Sequence, residues 1–481
     1  MPNVNFRRAE YAHALPTWTT ISDCIKGQRA IKAKGDDYLP RPETSKGSNS
    51  ESSARFKRYL ERAVFYPVTQ RTVEGLTSEV FSEPPVLELP KTGEIMREDI
   101  DGAGTTFEQQ SKKVLQEVIS IGRAGLLSDF PTIEGDQPTT LAQLQSGEIR
   151  PRIIYYTADQ IINWRETAIG GAVKLSLLVL LESTEEPTDD EFEVETAPRW
   201  RVYRRTDEGV TVEVWKEESS ASAQGLPADM ATTYVLEMEP VVIRSSSGPL
   251  VEIPFEFVGA LNNDSTPDNP PASGLADMNV AHYRNSADYE HSVFLVGQPT
   301  PVFSGLDTNW AKEFISGKVA LGSENAVALP KDGKASLLQA APNSMPIEAM
   351  QHKEDQMKAI GARLLEPGGA AKGTATEAMI EKSSDTSILA SASRNVASAY
   401  KHAFENALQF LGITDEVVVE LNDEFAAMSL NYQERQEVVA AWQSGVLSFE
   451  EVRQVYEKRG LTKHEAGDAR DIIAAGTLPT F

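Results

Sequence analysis

Glu366-Pro-Gly-Gly-Ala-Ala-Lys-Gly-Thr374 separates two helical patterns, and its reading sets the organisation of the chain. Upstream, Ile347, Met350, Met357, Ile360 and Leu364 recur at three-, four- and seven-residue intervals, the period of one helical face. Pro367 and the glycines that follow cannot continue that helix cheaply, so it breaks there. Downstream, Thr374 and Glu377 form a Thr-x-x-Glu capping box that starts a second helix. Met379, Thr386, Leu389, Ser393, Val396, Tyr400, Ala403, Ala407 and Leu411 mark its inner stripe, with Gly412 as its stop. At ~1.5 Å per residue this helix would be about 55 Å long. A helix of that length is expected to span something or to join parts of an assembly.

Composition bounds the remaining possibilities. The chain of 481 residues is long enough for several sub-domains, and its 40% hydrophobic content is that of an ordinary soluble protein. Acidic residues outnumber basic ones, 71 to 46, for a net charge of -25. Such a charge keeps a protein soluble and repels polyanions, which argues against tight wrapping of nucleic acid. Cys24 is the single cysteine, so neither a disulfide framework nor a cysteine-rich metal site forms within one chain. No run of about 18 apolar residues is present, and the N-terminus lacks a signal-peptide core, so no membrane segment is expected. His13, His282, His291, His352, His402 and His464 have no metal-ligand spacing.

Around this organiser, the rest of the chain alternates between helical and strand periods. Residues 11–34 read as a helix around Trp18, Ile21, Ile25 and Ile31, and residues 54–82 as a helix pair. Residues 86–89 form a short strand. Asp99-Ile-Asp-Gly-Ala-Gly-Thr-Thr106 precedes a helix over 107–121. A glycine loop there can hold phosphate, but without a buried strand before it a turn with a threonine cap is the better reading. Strands are expected at 123–131 and 153–164, the latter turning at 157–160. From 170 to 260 the period becomes two, giving antiparallel hairpins that include the turn Thr206-Asp-Glu-Gly209. The acidic stretch 182–195 offers carboxylates for a metal, yet a solvated hairpin loop is the better reading. Residues 219–233 form a small-residue loop, and 253–258 a closing strand.

Asn262-Asn-Asp-Ser-Thr-Pro-Asp-Asn-Pro-Pro271 is the clearest internal boundary. The helix expected over 275–296 is unusually polar in its first half, with Asn279, His282, Tyr283, Arg284, Asn285, Asp288 and Glu290. Such a helix suits a place between identical neighbours, or the wall of a wet channel. Residues 298–343 read as a compact insert with strands at Val302-Phe303 and 327–329, a helix at 310–315 and a turn at 330–333. After a strand at 416–421 come three capped helices, one of them opened by Ser448-x-x-Glu451.

No catalytic constellation emerges: Gly-x-Ser-x-Gly, His-Glu-x-x-His and a nearby Cys-His pair are all missing. The loop around Lys372 is not a phosphate-binding P-loop, because its order is Lys-Gly-Thr and a helix precedes it. No catalytic residue, cofactor or metal is expected. The competing classes are a metal- or nucleotide-dependent enzyme and an acidic structural ring or scaffold without DNA passage.

In their order along the chain, several motifs resemble the portal proteins of tailed bacteriophages, in particular a group carrying a domain long described as uncharacterised. They are Tyr38-Leu-Pro40, Arg62-Ala-Val-Phe-Tyr66, Arg71-Thr-Val-Glu-Gly75, Asp101-Gly-Ala-Gly104, Gly122-Arg-Ala-Gly-Leu-Leu127, Ile161-Ile-Asn-Trp164, Ile253-Pro-Phe255 and the Gly368 loop with its long helix. The resemblance implies an α+β portal fold. Its parts would be an α/β wing over 1–265, stem helices over 272–297 and 346–365, a small α/β clip over 298–343 and a tunnel loop over 366–374. A long wing helix and strand over 375–425 and a helical crown over 430–481 would complete it.

The resemblance further implies a homo-oligomeric ring, usually of twelve subunits, at one capsid vertex of the virion. The ring would be made in the host cytoplasm and would be the head-tail connector for genome packaging and ejection. Gly368, Gly369, Lys372, Gly373 and Thr374 would face double-stranded DNA without sequence preference, with Lys358 and Arg363 as further weak contacts. The implied partners are the terminase packaging motor, head-completion, adaptor or tail proteins, and the major capsid and scaffolding proteins, with no membrane and no enzymatic activity.

Overall fold

The structure, a computed structural model, describes residues 3–42, 50–129, 150–188, 190, 192–219, 232–246, 248–296, 300–305, 331–338, 344–365 and 387–423, with isolated positions elsewhere. It is a mixed α+β protein. In chain order its main elements begin with helices α1 (Ala9–Lys26), α2 (Gln28–Ala33), α3 (Ser50–Arg62) and α4 (Val68–Val80). Then come β1 (Val86–Glu88), α5 (Ile95–Glu98), α6 (Phe107–Ile121), β2 (Arg123–Asp129), β3 (Arg152–Thr157) and β4 (Ile161–Ile169). The hairpin strands are β5 (Ala172–Pro187), β6 (Val194–Thr206), β7 (Gly209–Ser219) and β8 (Thr232–Val242). Short strands β9 (Arg244–Ser245) and β10 (Gly248–Pro249) lead to β11 (Phe255–Gly259) and α7 (Ser273–Val296). The rest are β12 (Thr300–Ser304), β13 (Lys334–Leu338), α8 (Met345–Leu365), α9 (Ile388–Phe410) and β14 (Val418–Glu420).

These elements fall into two units, one of residues 1–11, 75–268 and 364–481, the other of residues 12–74 and 269–363. The break at Asp268 lies inside the proline- and asparagine-rich boundary read from the sequence. That residues 12–74 belong with the later helices was not legible there.

In the first unit, α6 and α9 pack on the antiparallel sheet β11-β2-β3. Thr106 caps α6 in a reciprocal box with Gln109, and Gly122 ends it with φ at 80°, turning the chain directly into β2. The stripe Leu389, Ser393, Val396, Tyr400, Ala403 and Ala407 of α9 is buried, as its period requires. Phe107 meets Tyr400 edge-on at 5.2 Å, and the Tyr400 hydroxyl donates to Gln110 at 3.0 Å. Ser128 of β2 donates to the Ala403 carbonyl at 2.7 Å. Strand β1 pairs with β14, joining residues more than 300 positions apart. Arg123 is buried with its guanidinium 4.2 Å from the Trp164 ring and 4.5 Å from Phe257. It donates to the Ser265 carbonyl at 2.8 Å, and burial pushes its pKa down to about 9.

Helix α9 is shorter than expected. Ser387 is extended and its hydroxyl accepts from the Ala390 amide, so the helix starts at Ile388 and runs 23 residues. The single helix from Thr374 to Leu411 is thereby corrected: a serine cap without a glutamate partner outcompetes continuation. Residues 374–386 lie outside those described.

A second sheet in this unit has the order β4-β5-β6-β7-β8, antiparallel throughout. Strand β8 was not read from the sequence, where Pro240 and an irregular period disguise it. The acidic hairpin loop is also shorter than the expected 182–195. Strands β5 and β6 stay paired from Glu182↔Arg199 out to Pro187↔Val194, because arginines stand opposite or beside the carboxylates.

In the second unit, α1 ends at Gly27, whose φ of 83° breaks the single helix expected over 11–34 into α1 and α2. Helices α1 to α4 pack with α7 and α8. The Cys24 thiol, buried, lies 3.8 Å from the Ala276 carbonyl, and Gly361 of α8 lets that helix close on Thr72 of α4. The insert carries an antiparallel pair, Thr300↔Leu338 to Ser304↔Lys334. Gly305, with φ at 73°, accommodates the Asp332 carbonyl where any side chain would collide. The second strand is thus Lys334–Leu338; the expected strand at 327–329 and the helix at 310–315 lie almost wholly outside the described residues.

Candidate functional site

Helix α7 and the insert it enters were the sequence's strongest pointers to function. The polar first half of α7 turns inward. Asn279, His282, Tyr283 and Ser286 are all buried. The Asn279 amide oxygen accepts from the Thr69 amide at 3.1 Å and the Thr69 hydroxyl at 3.0 Å, while its nitrogen donates to the Tyr66 carbonyl at 2.8 Å. Ser286 donates to the Val64 carbonyl at 2.5 Å and accepts from the Val64 amide at 3.0 Å. Arg284 donates to the Tyr38 carbonyl, and Tyr59 donates to Asp288 at 2.7 Å. These side chains replace backbone partners missing in the connections before α3 and between α3 and α4, so burial is affordable.

Part of the polarity that suggested identical neighbours or a wet channel is satisfied inside the chain: N-terminal segments pair with Asn279 and Ser286, whereas the Tyr283 hydroxyl and His282 Nδ1 are buried with no hydrogen-bond partner among the described residues, and Arg284 and Asp288 are exposed. His282 Nε2 lies 3.3 Å from Glu354 of α8, and its ring meets Tyr66 edge-on at 5.2 Å. Burial holds its pKa below the ordinary value, against the pull of Glu354.

The end of α7 has the opposite character. Val293, Phe294 and Leu295 are exposed at 50%, 38% and 56%. Val302 on β12 and Met345 and Ile347 at the start of α8 are exposed too, Met345 at 73%. Thus large apolar side chains stand in solvent on both helix ends that flank the insert. Sequence reasoning missed this, although the run Val293-Phe-Leu-Val296 beside a proline was its signal.

The loop residues Gly368, Gly369, Lys372, Gly373 and Thr374 lie outside the described residues. Of the other cations singled out, Lys358 is fully exposed and pairs with Asp355 at 3.0 Å, which raises its pKa. Arg363 lies on the last turn of α8.

Two acidic or glycine-rich segments resolve plainly. In the Asp99 loop, the Asp99 carboxylate accepts from the Gly102 and Gly104 amides at 2.8 and 3.0 Å and from Arg150, and Asp101 accepts from Ala103 and Thr105. The amides that would cradle a phosphate are filled by the chain's own carboxylates. Burial alone would raise the Asp99 pKa, but Arg150 and the two amides outweigh it and hold it below the usual value. In the acidic hairpin, Glu182 accepts from Tyr156 at 2.5 Å and from Arg201 at 2.9 Å, and Arg199 bridges Glu186 and Glu237. Among the described residues, no group of three or more His, Cys, Asp or Glu is placed to hold a metal. None of the described helices is long and apolar enough to cross a membrane. Of the C-terminal capping boxes, Ser448 and Glu451 make the expected reciprocal bonds at 2.7 and 3.2 Å.

A family described as "Domain of unknown function (DUF4055)" matches residues 271–411, less than a third of the chain, spanning α7 to the end of α9. No curated protein matches. Among solved structures, a chain from the virion of a native gene transfer agent particle is 13% identical, covering 92% of this chain and all of its own, at a TM-score of 0.39. A chain from the neck of the empty particle, computed with C6 symmetry, is 12% identical, covering 90% of this chain and 98% of its own, at 0.38. One from the neck of the native particle, computed with C12 symmetry, is 13% identical, covering 90% and 99%, at 0.37. Scores this low do not establish a shared fold.

Proposed function

We propose that the chain is the subunit of a portal-type ring at one vertex of a phage-like capsid, a structural head-tail connector through which double-stranded DNA is packaged and ejected. The observation that carries this reading is the apolar surface on the ends of α7 and α8 and on β12. Val293, Leu295 and Met345 are each at least half exposed. Among the described residues these groups are left half or more exposed, whereas neighbouring copies arranged around a closed ring would cover them. Asn279 and Ser286 of α7 do not serve this argument, since the chain satisfies them internally.

In this reading α7 and α8 are the stem helices, the insert is the clip, α9 belongs to the wing and residues 430–481 form the crown. The loop 366–374 faces the DNA, with Lys372 giving one weak phosphate contact per subunit. The acidic balance suits DNA that must slide rather than bind. The packaging motor, and later adaptor or tail proteins, would dock on the insert, and the chain would have no catalytic activity of its own. Removing residues 302–338 would leave capsids that assemble but do not fill; normal filling would refute the docking role. Electron microscopy of the purified chain tests the reading as a whole, a flanged ring with an axial hole supporting it and a dispersed monomer opposing it.

A further inference from the structure

A pocket of ≈260 Å³ opens between α3 and the end of α7. Arg55, Arg58, Tyr59 and Arg62 line it from α3, recurring at the spacing of one helical face. His291 and Phe294 line it from α7. Three guanidiniums on one face of a thirteen-residue helix repel one another unless something answers them. Glu51 answers Arg55. Among the described residues Arg58 and Arg62 have no carboxylate within ion-pair distance. Arg62 instead lies over the Phe294 ring, 3.7 Å from its centre, which fixes the guanidinium at the pocket wall.

The opposite wall is equally fixed. Tyr59 donates to Asp288 and meets the His291 ring edge-on at 5.5 Å. His291 Nδ1 is buried and has no hydrogen-bond partner among the described residues. Burial and the nearby Arg62 hold the imidazole pKa below its ordinary value. A cationic cluster in a chain of net charge -25, with a ring nitrogen left unpaired beside it, is not explained by the packing of this unit.

We propose that this pocket is an oxyanion site for a phosphate group, held between Arg58 and Arg62 and walled by the His291 ring. Two guanidiniums without an ion-pair partner among the described residues match the charge of about -1.5 to -2 on a terminal phosphate at neutral pH. Its oxygens also outnumber those of a carboxylate, so two arginine forks can both be used. The volume lies below the ~300 Å³ at which pockets begin to enclose drug-sized ligands, which suits a phosphate or diphosphate rather than a whole nucleotide. Binding would draw a proton onto His291, because an anion reverses the electrostatic cost of its charged form.

Isothermal titration of the full chain with pyrophosphate, at ionic strength matched by sodium chloride, tests this. Binding is expected, and it should strengthen as pH falls through the histidine range. Arg58→Gln and Arg62→Gln should each weaken it about tenfold, the loss of one charged hydrogen bond. Arg58 is exposed, so its replacement spares the fold, and Lys57→Gln, outside the pocket, should change nothing. No binding, equal binding by Arg58→Gln, or equal loss with Lys57→Gln would overturn the site. Acetate or a glutamate-rich peptide binding as tightly would overturn the phosphate assignment, as would binding of a DNA duplex where pyrophosphate has none.

Discussion

The two ends of α7 invert the usual rule in opposite senses. Its first half buries the polar side chains Asn279, His282, Tyr283 and Ser286, while its last turn is apolar and exposed. The difference teaches where the chain is complete. Asn279 and Ser286 are buried because segments some two hundred residues earlier bring matching donors and acceptors to them, and His282 meets Glu354 of α8. Among the described residues Val293 and Leu295 have no such counterpart, and in the proposed ring a neighbouring copy would cover them. Buried polarity therefore marks internal structure at Asn279 and Ser286, and in the proposed ring the exposed carbon would mark association.

The largest effect expected from breaking this contrast is at Asn279. Asn279→Leu leaves the Thr69 amide and hydroxyl and the Tyr66 carbonyl without partners in a buried site, a loss of about 3 kcal/mol. Denaturant unfolding would measure it, and a loss below a few tenths would show that the first half of α7 is not held as described. Ser286→Ala should cost about 1.5 kcal/mol through the two bonds to Val64.

A pH dependence follows from His282. Burial depresses its folded pKa, so the unfolded chain binds more protons below the ordinary value of about 6.5. Stability should be full above that value and fall as pH drops toward the folded pKa. His291 is shifted the same way. His282→Gln should flatten the slope in melts between mildly alkaline and mildly acidic pH; an unchanged slope would exclude His282 as its source.

What the sequence disclosed follows the range of the interactions. Helix α6, with its threonine box and glycine stop, and the turn at 157–160 were legible because their causes lie within four residues. The stripe of α9 from Leu389 onward was legible from its period, but its start was not. The Thr374 and Glu377 pair is the stronger local signal, and only the structure places the cap at Ser387. The burial of Asn279 and Ser286 was not legible because their partners come from Val64, Tyr66 and Thr69, which no local pattern connects to them. Strand β8 was missed because β7 alone defines its place. The DNA-facing role of the loop carrying Lys372, and of Lys358 and Arg363 near it, rests on sequence resemblance.

Smaller effects are expected away from α7. Asp99→Asn should cost about 1 kcal/mol near neutral pH by weakening the Arg150 and glycine amide bonds. The depressed folded pKa means that this stability is present above the unfolded value and lost as pH falls through the folded one. The mutant and parent curves should therefore converge in acid, and divergence there would contradict the assignment. Smallest in folding stability should be the paired change Val293→Ser with Leu295→Ser, since both side chains already face water. Its unfolding midpoint at low protein concentration should match that of the parent, while its self-association should be lost.

The most direct test of the central claim is the mass of the purified chain in solution, read by native mass spectrometry beside electron microscopy. The parent is expected to form a closed ring of many subunits with an axial opening, and the Val293 and Leu295 double variant a folded monomer of 52.7 kDa before the small change from substitution. A parent that stays monomeric at all concentrations, or a double variant that still closes into the same ring, would contradict the claim that this exposed apolar end is where one subunit meets the next.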